Sequence, residues 1–139
     1  MSARTKARKR AVDALFAADL RDLMASDLLD EAEQQSEDRA AQVEIFSYAR
    51  EAVNGVLLHQ AEIDDQLETY AQGWSLGRMP ALDRAILRLA TWEIMFNDDI
   101  PDAVAIDEAV ELAKEYSTDN SAGFVNGLLG KIVSTRTAL

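Results

Sequence analysis

The sequence has no cysteine, a single histidine and only two prolines. Without cysteine there are no disulfides and no thiolate metal ligands. One histidine, His59, leaves no His cluster for a zinc site and no His-based catalytic pair. With proline confined to positions 80 and 101, long stretches are free to be helical. No apolar run nears the ~20 residues that span a bilayer as a helix. After the basic start, Asp13 and Asp19 break the apolar stretch a signal peptide needs, so the expectation is a cytoplasmic protein. Basic residues are also scarce: 14 Lys and Arg face 25 Asp and Glu, a formal net charge of -11. Yet five of those 14 (Arg4, Lys6, Arg8, Lys9 and Arg10) fall in the first ten positions, with no acid among them. The remaining 129 residues hold 9 basic and 25 acidic side chains, a balance of -16. A body this acidic repels polyanions over most of its surface, which confines any nucleic-acid contact to a patch.

What the sequence does have is helical periodicity. Its 139 residues, 48% of them hydrophobic, suit one domain, 1–139, with a real core. Val12, Leu15, Phe16, Leu20 and Leu23 recur at three- and four-residue steps, as on one face of an amphipathic helix. The acidic stretch Ser26 to Gln42 reads as a connection with room for one short helix. A second helix over about 38–58 turns Val43, Phe46, Ala49, Val53, Val56 and Leu57 inward, and a third over about 61–71 uses Ile63, Leu67 and Tyr70. "QGWSLGRMP" is a turn-rich break. Beyond it, Pro80 and Pro101 suit helix starts, where the missing N–H has no intrahelical partner to lose. Leu82, Ala85, Ile86, Leu89, Trp92 and Phe96 form one apolar face; Ile106, Ala109, Val110 and Ala113 form the next. "STDNSAG" supplies capping residues ahead of a last helix carrying Phe124, Val125, Leu128, Leu129 and Ile132. Gly127 within that helix costs about 1 kcal/mol relative to Ala, and close packing on a neighbour is the expected reason for it. The predicted fold class is all-α: two three-helix bundles, about 1–72 and about 80–139, sharing one core.

The basic front opposes the helix dipole, which favours acids at an N-terminus by roughly 0.3–1 kcal/mol each. On an ideal helix with Arg4 at zero, the large apolar residues of this segment span an arc from about 20° to 160°. Arg8 and Lys9 fall inside that arc, and Lys6 and Arg10 outside it. Because charges inside it are not expected to pack in a core, the first two turns are expected to project from the bundle or stay unwound until an anion binds. A frayed, solvated terminus is the plain alternative. No zinc finger is present, and no basic region runs into leucine heptads, so a duplex-DNA reader is missing. Short single-stranded RNA, which takes a few phosphate contacts and flat side chains for unstacked bases, fits better.

Three stretches carry a family resemblance: the basic start running into "AVDALFAADL", then "LDRAILRLATWEI", then "IPDAVAIDEAVELAKEYSTDNSAGFVNGLLGKI". Within the last, "VAIDEAVELAK" and "FVNGLL" are the most specific. Together they resemble the NusB family, the bacterial transcription antitermination factors. The resemblance implies two three-helix bundles and a non-catalytic role with no cofactor and no metal. It implies binding to boxA, a single-stranded element of ribosomal RNA leader transcripts. The implied protein partners are NusE, a small-subunit ribosomal protein, and the RNA polymerase antitermination complex, with a homodimer as a further possible state and no membrane. By position, Arg4, Lys6, Arg8, Lys9 and Arg10 would hold phosphates. Phe16 would stack or pack, Phe124 would be a stacking platform, and Asn120 and Ser121 would lie near the RNA. As plain structure, Phe124 is a core residue and Asn120 and Ser121 are caps. The NusE surface would use Asp83, Trp92 and Asp102, where the plain reading makes Trp92 core and Asp102 a first-turn acid. The other reading is a helical protein-interaction module whose basic end docks an acidic protein. An RNA-modifying enzyme is disfavoured, because the sequence has no glycine-rich cofactor loop and no cysteine nucleophile.

Overall fold

A computed structural model describes residues 1–138. The order is α1 (Ala3–Arg21), α2 (Ala25–Gln35), α3 (Arg39–Leu58), α4 (Gln60–Tyr70), a 3-10 turn (Leu76–Arg78), α5 (Ala81–Phe96), α6 (Asp102–Tyr116) and α7 (Asp119–Ala138). No strand occurs among the described residues. Side chains satisfy the orphan donors at several helix starts. Ser2 Oγ accepts from the Thr5 N–H at 3.0 Å, Asp38 from the Ala41 N–H at 3.2 Å and Thr118 Oγ1 from the Ser121 N–H at 3.1 Å. Pro80 and Pro101 stand one residue ahead of α5 and α6, at the cap position instead of inside the first turn. α1 closes at Asp22, which takes the left-handed conformation (φ 55°) and returns its N–H to the Ala18 carbonyl.

The helices α1, α2 and α3 pack on one another as one bundle, and α5, α6 and α7 form the second. α4 lies against α5 and α7, where it buries Ile63 and Leu67. The chain therefore crosses between bundles at His59, which ends α3 and starts α4, and not in the break after residue 72. Periodicity shows which face of a helix is apolar but not which neighbour covers it. α5 is the shared wall. Ala85 through Ile94 are all buried, and the helix touches α1 and α3 on one side and α4, α6 and α7 on the other. Among its fully buried side chains are Ile86, Leu87 and Leu89, each contributing roughly 1.5–3 kcal/mol relative to exposure. No helix among the described residues is long and apolar enough to cross a membrane.

The inward face of α1 differs from the predicted one. Ala7, Arg8, Ala11, Val12, Ala14 and Leu15 are buried, while Leu20 is 63% exposed and Leu23 47% exposed. On the same angular scale the buried arc runs from about 280° through zero to about 80°. Alanines define it, because a small side chain lets a neighbouring helix come close, and large apolar residues alone mislead. Val43 is likewise exposed instead of inward. The glycine that answers to close packing is Gly55, not Gly127: a Cβ at Gly55 would overlap the Trp92 indole, whereas one at Gly127 would meet nothing within 4 Å.

Candidate nucleic-acid interface

The basic segment is helical from Ala3 onward and packed, not projecting. Arg8 is 2% exposed. Its Nε donates to both Glu93 carboxylate oxygens at 3.0 Å, and its Nη1 lies 3.4 Å from Glu108. Tyr48 donates its hydroxyl to Glu93 and accepts from the Asn97 amide at 3.1 Å. Burial, reinforced by the Glu93 contact, raises the Tyr48 pKa, so the phenol keeps its proton. Arg8 is thus a core ion pair and not a phosphate holder, which corrects the expectation for this residue. Its charge packs inside the arc because Glu93, itself buried, stands opposite it on α5.

The other four bases divide. Lys6, Lys9 and Arg10 line one groove together with Asp13, Gln42, Ile45 and Tyr116. Lys6 and Arg10 make no ion pair among the described residues, and the Arg10 guanidinium sits 5.3 Å from the Phe46 ring. Lys9 meets Glu115 at 2.7 Å, which raises its pKa, and its ammonium lies 5.8 Å from the Tyr116 ring. Asp13 is the groove's one acid. Although Asp13 keeps an exposed edge, partial desolvation by the groove raises its pKa, with Arg10 and Lys9 opposing the shift. Arg4 faces elsewhere. It covers the Tyr48 ring at 3.9 Å in a separate groove with Arg8, Glu44, Ile100, Val104 and Glu108. Phe16 is half-buried against the core and lines neither groove.

A second group forms where α7 begins. Asn120, Ser121 and Phe124 line a groove of about 360 Å³ with Trp74, Met79, Pro80 and Asp83. Trp74 is 53% exposed, and its ring centroid lies 6.2 Å from that of Phe124, at 56° between planes. Phe124 is only partly buried against the core, so it serves packing and groove alike. Asn120 is exposed. The Ser121 hydroxyl donates to Asp83 Oδ2 at 2.8 Å and accepts from Ser117 and Thr118, so it is fully occupied inside the protein. The two grooves share no lining residue, and a short chain of contacts at the joint between α6 and α7 links them. Lys9 reaches Tyr116, the next residue is Ser117, and the Ser117 hydroxyl bonds Ser121 at 3.0 Å.

Of the residues expected at a protein partner, Asp102 is exposed in the first turn of α6. Trp92 is 5% exposed, packed on Gly55 and tilted against Tyr48 at 6.2 Å. It is a core residue, which corrects its assignment to a contact surface. Asp83 is 2% exposed and reaches only the floor of the Trp74 groove, so it too offers no open surface. Trp74, Tyr116 and Glu93 were missed as participants. A signal existed for Glu93, since an acid amid the apolar run "ATWEIMF" needs a buried cation. For Trp74 the signal was a large aromatic in a turn-rich break. Among the described residues no three His, Asp or Glu side chains converge as a metal site requires.

These features define a small all-helical protein of two packed bundles, with a basic groove on α1 and a separate aromatic groove at the start of α7. The NusB family model matches residues 5–134. The transcription antitermination protein NusB of Leifsonia xyli subsp. xyli is 60% identical over 98% of this chain and 94% of its own length. The solved NusB of T. maritima superposes with a TM-score of 0.83 at 38% identity, covering 94% of this chain and 90% of that one. A chain in the crystal structure of antitermination factors NusB and NusE in complex with dsRNA superposes at 0.84 with 28% identity, covering 97% and 98%. The chain belongs to the NusB family.

Proposed function

We propose that this protein is a non-catalytic antitermination factor. In this reading it binds the single-stranded boxA element of ribosomal RNA leaders together with NusE, within the RNA polymerase antitermination complex in the cytoplasm. Family membership supports the class, and the relative solved with NusE and RNA supports the partners. The observation that carries the RNA reading is the placement of Lys6, Lys9 and Arg10 in one groove of an otherwise acidic molecule, with the half-buried Tyr116 ring in its wall. Unpaired bases stack on aromatic side chains, whereas duplex RNA hides its bases, so a single strand uses both grooves and a duplex only one. Asp102 is the remaining candidate for the NusE surface.

The test is a gel shift with a boxA-type single strand, alone and with NusE, against the same RNA as a duplex. The reading expects the single strand to bind better than the duplex and NusE to tighten it further. Equal or better binding of the duplex, or no effect of NusE, contradicts it.

A further inference from the structure

Of the three cations that line the basic groove, Lys9 alone makes an ion pair among the described residues. Its ammonium lies 2.7 Å from Glu115, near the end of α6, and 5.8 Å from the Tyr116 ring. Glu115 does not line the groove. Its side chain is 50% exposed, against 17% for Lys9. The lysine is therefore held by the groove wall, while the carboxylate has water to turn into. Stability does not explain the pair. An acid in the last turn of a helix opposes the helix dipole. Exposed ion pairs add little to folding, and α1 is already tied to α6 by Thr5 and Arg8, which both meet Glu108. What the pair does change is the groove. A phosphate reaches Lys9 only in exchange for Glu115, a carboxylate tethered to the same molecule and so present at high effective concentration.

We propose that Glu115 is an intramolecular competitor of RNA phosphate for Lys9, and that it holds the affinity of the basic groove below what three free cations would give. The proposal rests on the single-stranded RNA reading above and names the residue that limits binding at that same groove. Lys9 adds little to the wild-type complex and becomes a full phosphate contact once Glu115 is neutralised.

The test uses the full chain and a 12-nucleotide boxA-type single strand, titrated over a salt series, with a melting curve for each variant. Glu115→Gln should bind about threefold more tightly than wild type and steepen the slope of log K against log salt by about 0.7, the mark of one further phosphate on a single strand. Glu111→Gln is the control. It removes the same charge from the same helix, at an exposed residue that pairs with Lys114 at 3.4 Å, and should move the affinity by less than about 1.5-fold. Lys9→Ala should weaken the wild type by less than about twofold and Glu115→Gln by about threefold. In the Lys9→Ala background, Glu115→Gln should change nothing, because the carboxylate acts through the ammonium. Both Gln variants should melt close to the wild type. The proposal is overturned if Glu115→Gln binds as the wild type does or more weakly, since the carboxylate then positions Lys9 instead of withholding it. It is also overturned if Glu115→Gln tightens binding equally without Lys9, or if Glu111→Gln matches it, since net charge alone then accounts for the gain. In each of these cases binding that still depends on Lys6 and Arg10 leaves the RNA reading standing. If neither wild-type protein nor Glu115→Gln binds the strand, the RNA reading falls as well.

Discussion

Arg8 and Arg10 stand two residues apart on α1 and meet opposite surroundings. Arg8 points inward to Glu93 and Glu108; Arg10 points outward beside Lys6. Removing one partner of a buried ion pair leaves an uncompensated charge, which typically costs 3–5 kcal/mol. Arg8→Ala should therefore lower the melting temperature sharply, with a destabilisation of about 3 kcal/mol or more in denaturant unfolding. Arg10→Ala loses only a partly exposed contact with Phe46 and should cost no more than about 1 kcal/mol. Asp13 supplies a pH test. Folding raises its pKa, so the folded protein holds that proton more tightly than the unfolded chain does. Ionised Asp13 thus costs stability above its raised pKa, and the cost fades as pH falls through it. Lys6, Lys9 and Arg10 on α1 and Tyr116 on α6 share its groove, with Arg21 and Glu31 nearby on its other side. Protonation makes the groove more positive. RNA affinity should rise as pH falls through that pKa, and Asp13→Asn should bind more tightly than wild type at pH 7 and lose that part of the rise.

At the scale of the helix, α5 is held to α3 by shape and to α1 by charge. Gly55 lets the Trp92 indole lie on α3, so Gly55→Ala forces the ring aside and should destabilise by about 1–3 kcal/mol in thermal or denaturant unfolding. Much of this level was readable in the sequence. Phe46, Ala49, Val53 and Val56 on α3 and Ala85, Ile86, Leu89 and Trp92 on α5 are buried as their spacing predicts. The inward face of α1 was not, because Ala7, Ala11 and Ala14 define it and alanine leaves little mark in a pattern of large apolar residues. The destination of α4 was not either, since Ile63 and Leu67 fit any apolar neighbour. In the site, the basic groove was legible because Lys6, Lys9 and Arg10 are local in sequence. The role of Arg8 was not, because its partner Glu93 lies 85 positions away. Trp74 beside Phe124 is hidden for the same reason: a contact across 50 residues leaves no periodic trace.

For the whole molecule, an acidic body bearing one basic groove should bind polyanions weakly, locally and with a salt dependence set by few contacts. Arg8 is internal and Lys9 is partly neutralised by Glu115, so about two to three phosphates are held. The slope of log K against log salt on a single strand should then be about -2. The same count makes the double variant Lys6→Ala/Arg10→Ala the most direct measurement, because both side chains line the groove and neither carries an ion pair among the described residues. Its binding to a boxA-type single strand, titrated over a salt series beside a melting curve, should weaken markedly, with the slope flattened by about 1.4 and the melting temperature nearly unchanged. Affinity and slope equal to the wild type in a folded double variant would contradict the account.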